Sequence, residues 1–205
     1  MEEEAREQAI EEQRYKNYVL LSHLLANHLT LEDMRKCLEF INAGAEGQFD
    51  RLSDDASAEF ATVLSRRLEH GDEQGLKVEY GHVFLLPAGV KPYESVYLAD
   101  KPMLHQEPWI EVKKFYLDCG FKLEDPRMHP EDHISVEYAF MAHLIESGGQ
   151  EEREKQFFND HIAKWASKFW EDMRDNQYSV FYKDVASYGL KFTEQEMNHF
   201  SSASE

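Results

Sequence analysis

One stretch of the chain, residues 130–145, constrains the fold more than any other. It begins with Pro130, Glu131 and Asp132. A proline followed by two acids is typical of a helix start, because the ring fixes φ and the carboxylates face the positive end of the helix dipole. The apolar side chains behind this start cover most of the helix circumference: Ile134, Val136, Tyr138, Phe140, Met141, Leu144 and Ile145. A helix that is apolar almost all round is typical of the centre of a helical bundle.

Helices are predicted along the rest of the chain as well. Apolar residues recur at helical spacing, and no run of alternating β-branched residues is long enough to indicate a sheet. The predicted helices are 5–28, a second capped by Thr30 and ended by Gly44 and Gly47, a third from the cap Ser53 to His70, and 73–86, 108–119, 131–147, 150–170, 172–187 and 193–201. Residues 87–106, which hold or border four of the six prolines, are predicted to form an ordered loop. We therefore expect a single all-α domain over residues 1–205, a bundle of about eight to ten helices.

The charge balance limits the partners that the chain can have. Its 205 residues carry a formal net charge of −18, which argues against nucleic acid or an anionic membrane as a partner, because both require a basic face. The same charge suits a basic client protein, although solubility alone also explains it. The N-terminus is acidic, and no apolar run has the length of a membrane span. We therefore expect neither a signal peptide nor a membrane span, and a cytoplasmic location.

Enzymatic functions find little support in the sequence. The two cysteines lie far apart and form no Cys-x-x-Cys pair, and the sequence has neither a Gly-x-Ser-x-Gly elbow nor a glycine-rich phosphate loop. We expect no catalytic residues, no cofactor and no metal. The rival that remains open is a helical-bundle metalloenzyme of the di-iron carboxylate type, because Glu79-x-x-His82 and Glu196-x-x-His199 have the spacing of its ligand motif.

Four short motifs stand in order between residues 76 and 146. They are Glu-Tyr-Gly-His-Val-Phe-Leu from Glu79, Pro-Tyr-Glu-Ser-Val-Tyr from Pro92, Phe-Tyr-x3-Gly-Phe from Phe115 and Pro-Glu-Asp-His-Ile from Pro130. Each motif alone is weak evidence. The four in this order resemble the TorD/DmsD/NarJ family, the cytoplasmic maturation chaperones of molybdenum-containing redox enzymes. The resemblance implies a TorD-like all-α fold and a chaperone without catalytic activity.

The resemblance also implies a partner. Members of the family hold the twin-arginine signal peptide, and sometimes the apoprotein, of a molybdoenzyme until its cofactor is inserted, which delays export. The apolar part of such a leader would lie in a groove walled by aromatic side chains, while its arginines would meet carboxylates. The residues implied in signal-peptide binding are Tyr93, Tyr97 and Gly120 on the apolar side, Pro130, Glu131, Asp132 and His133 at a polar rim, and Glu94. Long helices with short connections allow a monomer or a domain-swapped homodimer. A structural adaptor that binds a folded partner is a further alternative.

Overall fold

The computed structural model describes residues 2–43, 55–101, 103–123 and 128–202. Its helices in chain order are α1 (Glu2–Ala26), α2 (Leu31–Ala43), α3 (Asp55–His70), α4 (Glu73–Tyr80), α5 (Glu94–Leu98), α6 (Glu107–Asp118), α7 (Ile134–Ser147), α8 (Glu151–Phe157), α9 (Ala163–Asp175) and α10 (Phe181–Ser202). One π-helical turn, Gly81–Leu85, follows α4 directly, and another, Phe158–Ile162, joins α8 to α9. The described residues contain no strand, apart from an isolated antiparallel bridge between Tyr93 and His133. The all-α prediction is confirmed.

Helix α7 lies at the centre of the fold, as its sequence predicts. Nine of its 14 residues are buried. Helix α1 packs along α7, and the Ser22 hydroxyl in α1 donates to the Ser135 carbonyl at 2.7 Å. The buried apolar side chains form a core that reaches from Tyr18 in α1 to Phe200 in α10. The start of α7 is therefore held by core packing. The prediction of a single domain over residues 1–205 stays a prediction.

The start of α2 follows its sequence signal. The Thr30 N–H donates to the Asp33 carboxylate at 3.0 Å, and the Asp33 N–H donates to the Thr30 hydroxyl at 3.1 Å. This reciprocal pair is a capping box, which satisfies two N–H groups that a helix start otherwise leaves unpaired. The predicted cap at Thr30 is therefore confirmed. The predicted stop at Gly44 and Gly47 and the predicted cap at Ser53 lie outside the described residues.

Two helix boundaries near the predicted site differ from the sequence prediction. The predicted helix 131–147 begins only at Ile134, because His133 has an extended backbone with φ −78° and ψ 134°. The predicted loop 87–106 contains the short helix α5. Both differences involve one side chain, Asp132, whose carboxylate binds the start of α5 rather than the start of α7.

The C-terminal helices are longer than predicted. Helix α8, the π-helical turn and α9 form one run that ends at Asp175, so the predicted helix boundary between residues 170 and 172 is wrong. The break lies at residues 176–180, where the backbone of Asn176 is extended. Helix α10 then runs without interruption, although the sequence predicted two helices, 172–187 and 193–201, over this region.

No helix in the described ranges is long and apolar enough to cross a membrane. The two longest, α1 and α10, have buried and exposed faces. Leu21 in α1 and Phe192 in α10 are buried, whereas Glu11 and Glu194 on the same helices are exposed. One apolar face and one charged face are typical of helices at the surface of a bundle.

Candidate functional site

The segments that begin α5 and α7 meet in the structure. Tyr93 and His133 form the isolated bridge between them. The Glu94 N–H donates to the Asp132 carbonyl at 2.9 Å. The Ile134 N–H donates to the Pro92 carbonyl, also at 2.9 Å. We refer to these paired residues as the α5–α7 junction. Four of the residues implied in signal-peptide binding are thus brought together.

The Asp132 side chain caps the start of α5 from a different segment of the chain, since the N-cap residue itself, Tyr93, makes no side-chain capping bond. The Oδ2 atom of Asp132 accepts a hydrogen bond from the Ser95 N–H at 3.0 Å, and the side chain is fully buried. A carboxylate in this position satisfies an N–H group at the helix start and faces the positive end of the helix dipole. The prediction that Asp132 lies in the first turn of α7 is wrong, because backbone pairing across the junction presents its carboxylate to α5.

His133 caps α7 with its imidazole ring. Its Nδ1 atom accepts a hydrogen bond from the Ser135 N–H at 3.1 Å and lies 2.7 Å from the Ser135 hydroxyl. A ring nitrogen that accepts a hydrogen bond carries no proton, so this ring is neutral, with its proton on Nε2. Burial, together with the His129 ring stacked 4.2 Å away between centroids, holds the pKa of His133 well below its usual value. His133 therefore precedes α7 and does not lie in its first turn.

Glu94, the first residue of α5, belongs to a buried network of ionisable groups. It is 1% exposed, and both of its carboxyl oxygens lie 3.1 Å from Nδ1 of His161. Glu137, another fully buried carboxyl group, accepts a hydrogen bond from the Trp165 indole N–H at 3.3 Å. Burial raises the pKa of Glu94, although His161 acts against this rise. His161 stands in the π-helical turn Phe158–Ile162, an irregularity that is frequent at functional sites.

Glu131 ties the junction to α6. Its carboxylate accepts a hydrogen bond from the Trp109 indole N–H at 2.6 Å and pairs with the Lys113 ammonium at 3.1 Å. Partial burial raises the pKa of Glu131, but the contacts with Trp109, with its own backbone N–H and with Lys113 together outweigh burial and lower the pKa overall. Glu131 and its neighbour Pro130 keep some exposure. This part of the predicted polar rim therefore lies at the surface, already engaged with α6.

The three residues predicted on the apolar side have different surroundings. The Tyr93 ring stands edge-on to the His133 ring at 5.2 Å between centroids, and the Tyr97 ring lies 5.3 Å from the Trp165 ring. Both tyrosines are half-buried. Gly120 has a φ of +72°, which favours glycine, and it closes the C-terminal turn of α6. The structure thus places the two tyrosines on α5 or beside it and gives Gly120 a helix-ending role.

A cleft beside α5 contains acidic residues that the sequence did not identify as a site. Its volume is about 810 Å³. Five carboxyl groups and two lysines line it: Glu94, Asp100, Glu107, Glu111 and Asp160, with Lys101 and Lys164. We refer to it as the acidic cleft. Glu94 belongs both to the cleft and to the residues predicted from the sequence. A concave surface with this excess of negative charge attracts cations.

Exposed apolar side chains accompany the acidic cleft. Leu98 lines it, and Met103 and Leu104 follow in the connection from α5 to α6; their exposed fractions are 37%, 55% and 42%. Neighbouring apolar side chains at a surface mark interaction sites when they form a patch. The sequence held a partial signal for the cleft, since Glu107 and Glu111 are four residues apart and share one face of a helix. Their proximity to α5 could not be read from local patterns.

The two Glu-x-x-His motifs serve the fold, and the metalloenzyme alternative is not favoured. Glu79 accepts hydrogen bonds from the N–H groups of Val180 and Tyr182 at 2.7 and 2.8 Å, which fixes the start of α10. Glu196 accepts two hydrogen bonds from the Arg14 guanidinium at 2.8 and 2.9 Å. Over the part of the chain that the structure describes, no three His, Cys, Asp or Glu side chains are grouped in a way that could hold a metal ion.

Known proteins share this fold and this sequence pattern. The family described as "Nitrate reductase delta subunit" matches residues 46–171, more than half of the chain. The chaperone protein TorD of Vibrio parahaemolyticus is 24% identical, over 90% of this chain and 93% of the relative. TorD of Vibrio cholerae strain M66-2 is 27% identical, over 91% of each chain. A crystal structure described as a redox enzyme maturation protein of Archaeoglobus fulgidus matches with a TM-score of 0.60 at 19% identity, over 87% of this chain and 93% of that one.

These similarities agree with the sequence motifs. The four motifs, from Glu79 to Ile134, all lie inside the matched region 46–171. The relatives are named as chaperones and not as enzymes. The likeness to the solved structure supports the all-α fold. The chain therefore belongs to the nitrate reductase delta subunit family of molybdoenzyme maturation chaperones.

Proposed function

We propose that this chain is a cytoplasmic chaperone that binds the twin-arginine leader of a molybdenum-containing oxidoreductase subunit and delays export until the cofactor is inserted. Membership of the family supports the maturation role. The observation that carries leader binding is the acidic cleft with exposed apolar side chains beside it. A leader of this class offers the matching features in order, a pair of arginines followed by an apolar segment.

The acidic cleft suits the two arginines. Guanidinium groups bind carboxylates through two parallel hydrogen bonds, which gives both strength and orientation. Glu107 and Glu111 stand exposed on α6, and Asp160 comes from the π-helical turn, so carboxylates are available from separate elements. The net charge of −18 adds a long-range attraction for a basic peptide. Such attraction chiefly speeds association, and salt weakens it.

The apolar segment of the leader binds the surface around α5. Leu98, Met103 and Leu104 are exposed there, and Tyr93 and Tyr97 are half-buried. Each square ångström of apolar surface removed from water contributes roughly 25 cal/mol. An amphipathic or apolar helix laid on such a surface is a common mode of peptide recognition. This contact therefore supplies most of the affinity, and the acidic cleft supplies orientation and rate.

Asp132 and His133 act on the leader indirectly. They are 0% and 2% exposed, so a bound peptide does not reach them while the junction is closed. The Asp132 cap holds α5, and with it Tyr97 and Leu98, against the body of the protein, while the His133 cap fixes the start of α7. The carboxylates that meet the arginines are accordingly those of the acidic cleft, in place of the polar rim expected from the sequence.

Leader peptides with matched changes test the proposed function. Isothermal calorimetry should detect binding of a synthetic twin-arginine leader from a molybdoenzyme and no measurable binding of the same leader with its apolar segment made polar, because apolar burial supplies most of the affinity. A third peptide with glutamine at both arginine positions should bind more weakly and lose the salt dependence. Equal binding of the native and the polar leader would contradict the proposal.

The position of the arginines is tested by charge-matched protein variants. Glu107→Gln/Glu111→Gln should weaken leader binding by about tenfold, which corresponds to about 1.4 kcal/mol, on the scale of one charge-assisted hydrogen bond. The control Glu39→Gln/Glu69→Gln removes the same charge from two exposed positions on α2 and α3. We expect it to change the affinity by less than about twofold at physiological salt. If both pairs of substitutions weakened leader binding equally, only the overall charge of the protein would matter. That result would exclude the acidic cleft as the binding site of the arginines.

A further inference from the structure

Lys113 of α6 occupies a small cation site at the protein surface. Its ammonium lies 4.9 Å from the centre of the Trp109 ring and 3.1 Å from Oε1 of Glu131. An aromatic face and a carboxylate both attract positive charge, the ring through its quadrupole and the carboxylate through its full charge. We refer to Trp109 and Glu131 as the Trp–Glu site. In the free chain this site is filled by a side chain of the protein itself.

The Trp–Glu site is held in place without the help of Lys113. The Trp109 indole N–H donates to Oε2 of Glu131 at 2.6 Å, and the Tyr116 hydroxyl donates to the Glu131 carbonyl at 3.1 Å. Tyr116 is buried, so its hydrogen bond ties the Glu131 backbone to the core. The His105 ring stands edge-on to the Trp109 ring at 4.9 Å between centroids. Side chains that are fixed before binding lose little conformational entropy when a ligand binds.

The contact between Lys113 and the Trp–Glu site is easily exchanged. The Lys113 side chain is 46% exposed, whereas that of Glu131 is 14% exposed. An exposed ion pair made by a flexible lysine contributes little to stability, because water and salt compete with it. When Lys113 moves into solvent, it regains its rotamer freedom. The Oε1 atom of Glu131 and the face of the Trp109 ring are then open to another cation.

A guanidinium group suits the Trp–Glu site better than an ammonium group does. Its flat face stacks on an aromatic ring while its edge donates to a carboxylate. It is also more weakly hydrated than an ammonium group, so it loses less solvation when it binds. In this site Oε1 of Glu131 is the acceptor and the Trp109 ring is the stacking surface. An arginine from a partner can therefore displace Lys113.

We propose that the Trp–Glu site binds an arginine side chain of the client leader, and that Lys113 blocks the site until this arginine displaces it. The inference rests on the proposed function. The arginine is a further one, outside the pair assigned to the acidic cleft, because Trp109 follows Glu107 by two residues and so projects from a different side of α6. Leu104 and His105 connect the apolar surface around α5 to Trp109. The site thus borders the surface on which the apolar segment of the leader binds.

Removing the internal competitor should strengthen leader binding. The probe is a synthetic twin-arginine leader with one further arginine, placed in turn at each uncharged position before the apolar segment and titrated into the full chain by calorimetry. With the arginine at its best position, Lys113→Gln should bind this peptide about two- to fivefold more tightly than the wild-type chain, which is the scale of an exposed ion pair. The control Lys114→Gln removes the same charge from the next exposed position of α6 and should change the affinity by less than about 1.5-fold.

The variant Glu131→Gln tests the acceptor. Its amide oxygen can still accept from the Trp109 N–H, but the charge that attracts a cation is removed. In the wild-type chain the further arginine should raise the affinity about three- to tenfold over a peptide with glutamine at that position. In Glu131→Gln this advantage should vanish, and adding Lys113→Gln should give no further gain. A double-mutant cycle over Lys113 and Glu131 measures their coupling.

Tryptophan fluorescence locates the contact in the wild-type chain. Of the three tryptophans, Trp165 and Trp170 are 1% and 0% exposed, whereas Trp109 is half-buried, so acrylamide quenches chiefly Trp109. The peptide with the further arginine should protect Trp109 from acrylamide more than its glutamine counterpart does at equal saturation. This measurement decides the matter if Glu131→Gln fails to fold, and equal protection by the two peptides would then overturn the inference.

The remaining outcomes separate this inference from the proposed function. Absence of binding by every twin-arginine leader would overturn the proposed function, and this inference with it. Leader binding to which a further arginine adds nothing at any position would overturn this inference alone. Equal effects of Lys113→Gln and Lys114→Gln, or an arginine advantage that persists in Glu131→Gln, would do the same.

Discussion

Replacing Arg14 by methionine is expected to lower the free energy of unfolding by about 3–5 kcal/mol. Arg14 is 6% exposed, and its guanidinium binds Glu154 at 2.9 Å and both carboxyl oxygens of Glu196 at 2.8 and 2.9 Å. Methionine fills much of the same space but leaves two buried carboxylates without a cation. An uncompensated buried charge costs far more than a lost surface contact. Urea unfolding followed by circular dichroism measures the loss.

The loss at Arg14 should grow with pH. Burial already raises the pKa of Glu154 while Arg14 is present, and removing the cation raises it further. A carboxyl group whose pKa is higher in the folded chain than in the unfolded chain weakens folding as pH rises above the unfolded value of about 4.3. The destabilisation should therefore be larger at pH 8 than at pH 5. The control Arg35→Met removes an exposed pair with Glu32 and should cost about 0.5 kcal/mol or less. Equal costs for the two variants would contradict the structural role of Arg14.

The Arg14 network also shows what sequence patterns could not reveal. Arg14 and Glu196 are 182 residues apart, and Arg14 and Glu154 are 140 residues apart. Each lies in a helix whose own periodicity is informative, which is why the helices themselves were predicted. No local sequence pattern indicates that three charged side chains from different helices meet in the protein interior. The sequence instead suggested a metal ligand at Glu196, because Glu-x-x-His spacing is common to both roles.

Predicted helix boundaries were wrong where packing outweighs local propensity. A glycine within a helical pattern disfavours a helix, yet Gly189, in the predicted gap between two helices, lies inside α10 without breaking it. A Cβ atom at this position would lie 2.4 Å from the ring of Trp170, which is fully buried. The glycine is required so that α9 and α10 can approach each other, and the packing of the two helices compensates for its low propensity. Such a requirement is visible only in three dimensions.

The candidate site was predicted in part. The sequence identified the junction motifs because they combine proline, acids and aromatic residues in a recognisable order, and the structure does bring them together. It did not separate buried from exposed carboxylates, since Glu94 and Asp132 look as solvent-accessible in sequence as Glu107 and Glu111 do. Burial depends on the approach of α5 to α7 and the π-helical turn. Because of that approach, Glu94 and Asp132 are buried in the protein interior, whereas Glu107 and Glu111 face solvent.

Replacing Asp132 by alanine is expected to weaken both folding and leader binding. The substitution leaves the Ser95 N–H without its acceptor in a fully buried position, so the free energy of unfolding should fall by about 2–3 kcal/mol. Because α5 has only five residues, it depends on this cap, and its loosening should disorder the surface formed by Tyr97 and Leu98. We expect leader affinity to drop by about tenfold or more, equivalent to at least about 1.4 kcal/mol.

Two matched variants separate capping from charge at Asp132. Asp132→Asn keeps an oxygen that can accept from the Ser95 N–H and should retain most of the stability and leader affinity, because a cap needs an acceptor and not a full charge. Asp118→Ala removes an exposed acid from the end of α6 and should change stability by no more than about 0.5 kcal/mol. Unfolding and calorimetry on all three variants give stability and affinity together. An alanine variant that is destabilised but binds the leader at full strength would mean that α5 is not part of the binding surface. A stable Asp132→Asn variant that no longer binds would instead make the Asp132 charge itself a recognition element, as the sequence first suggested.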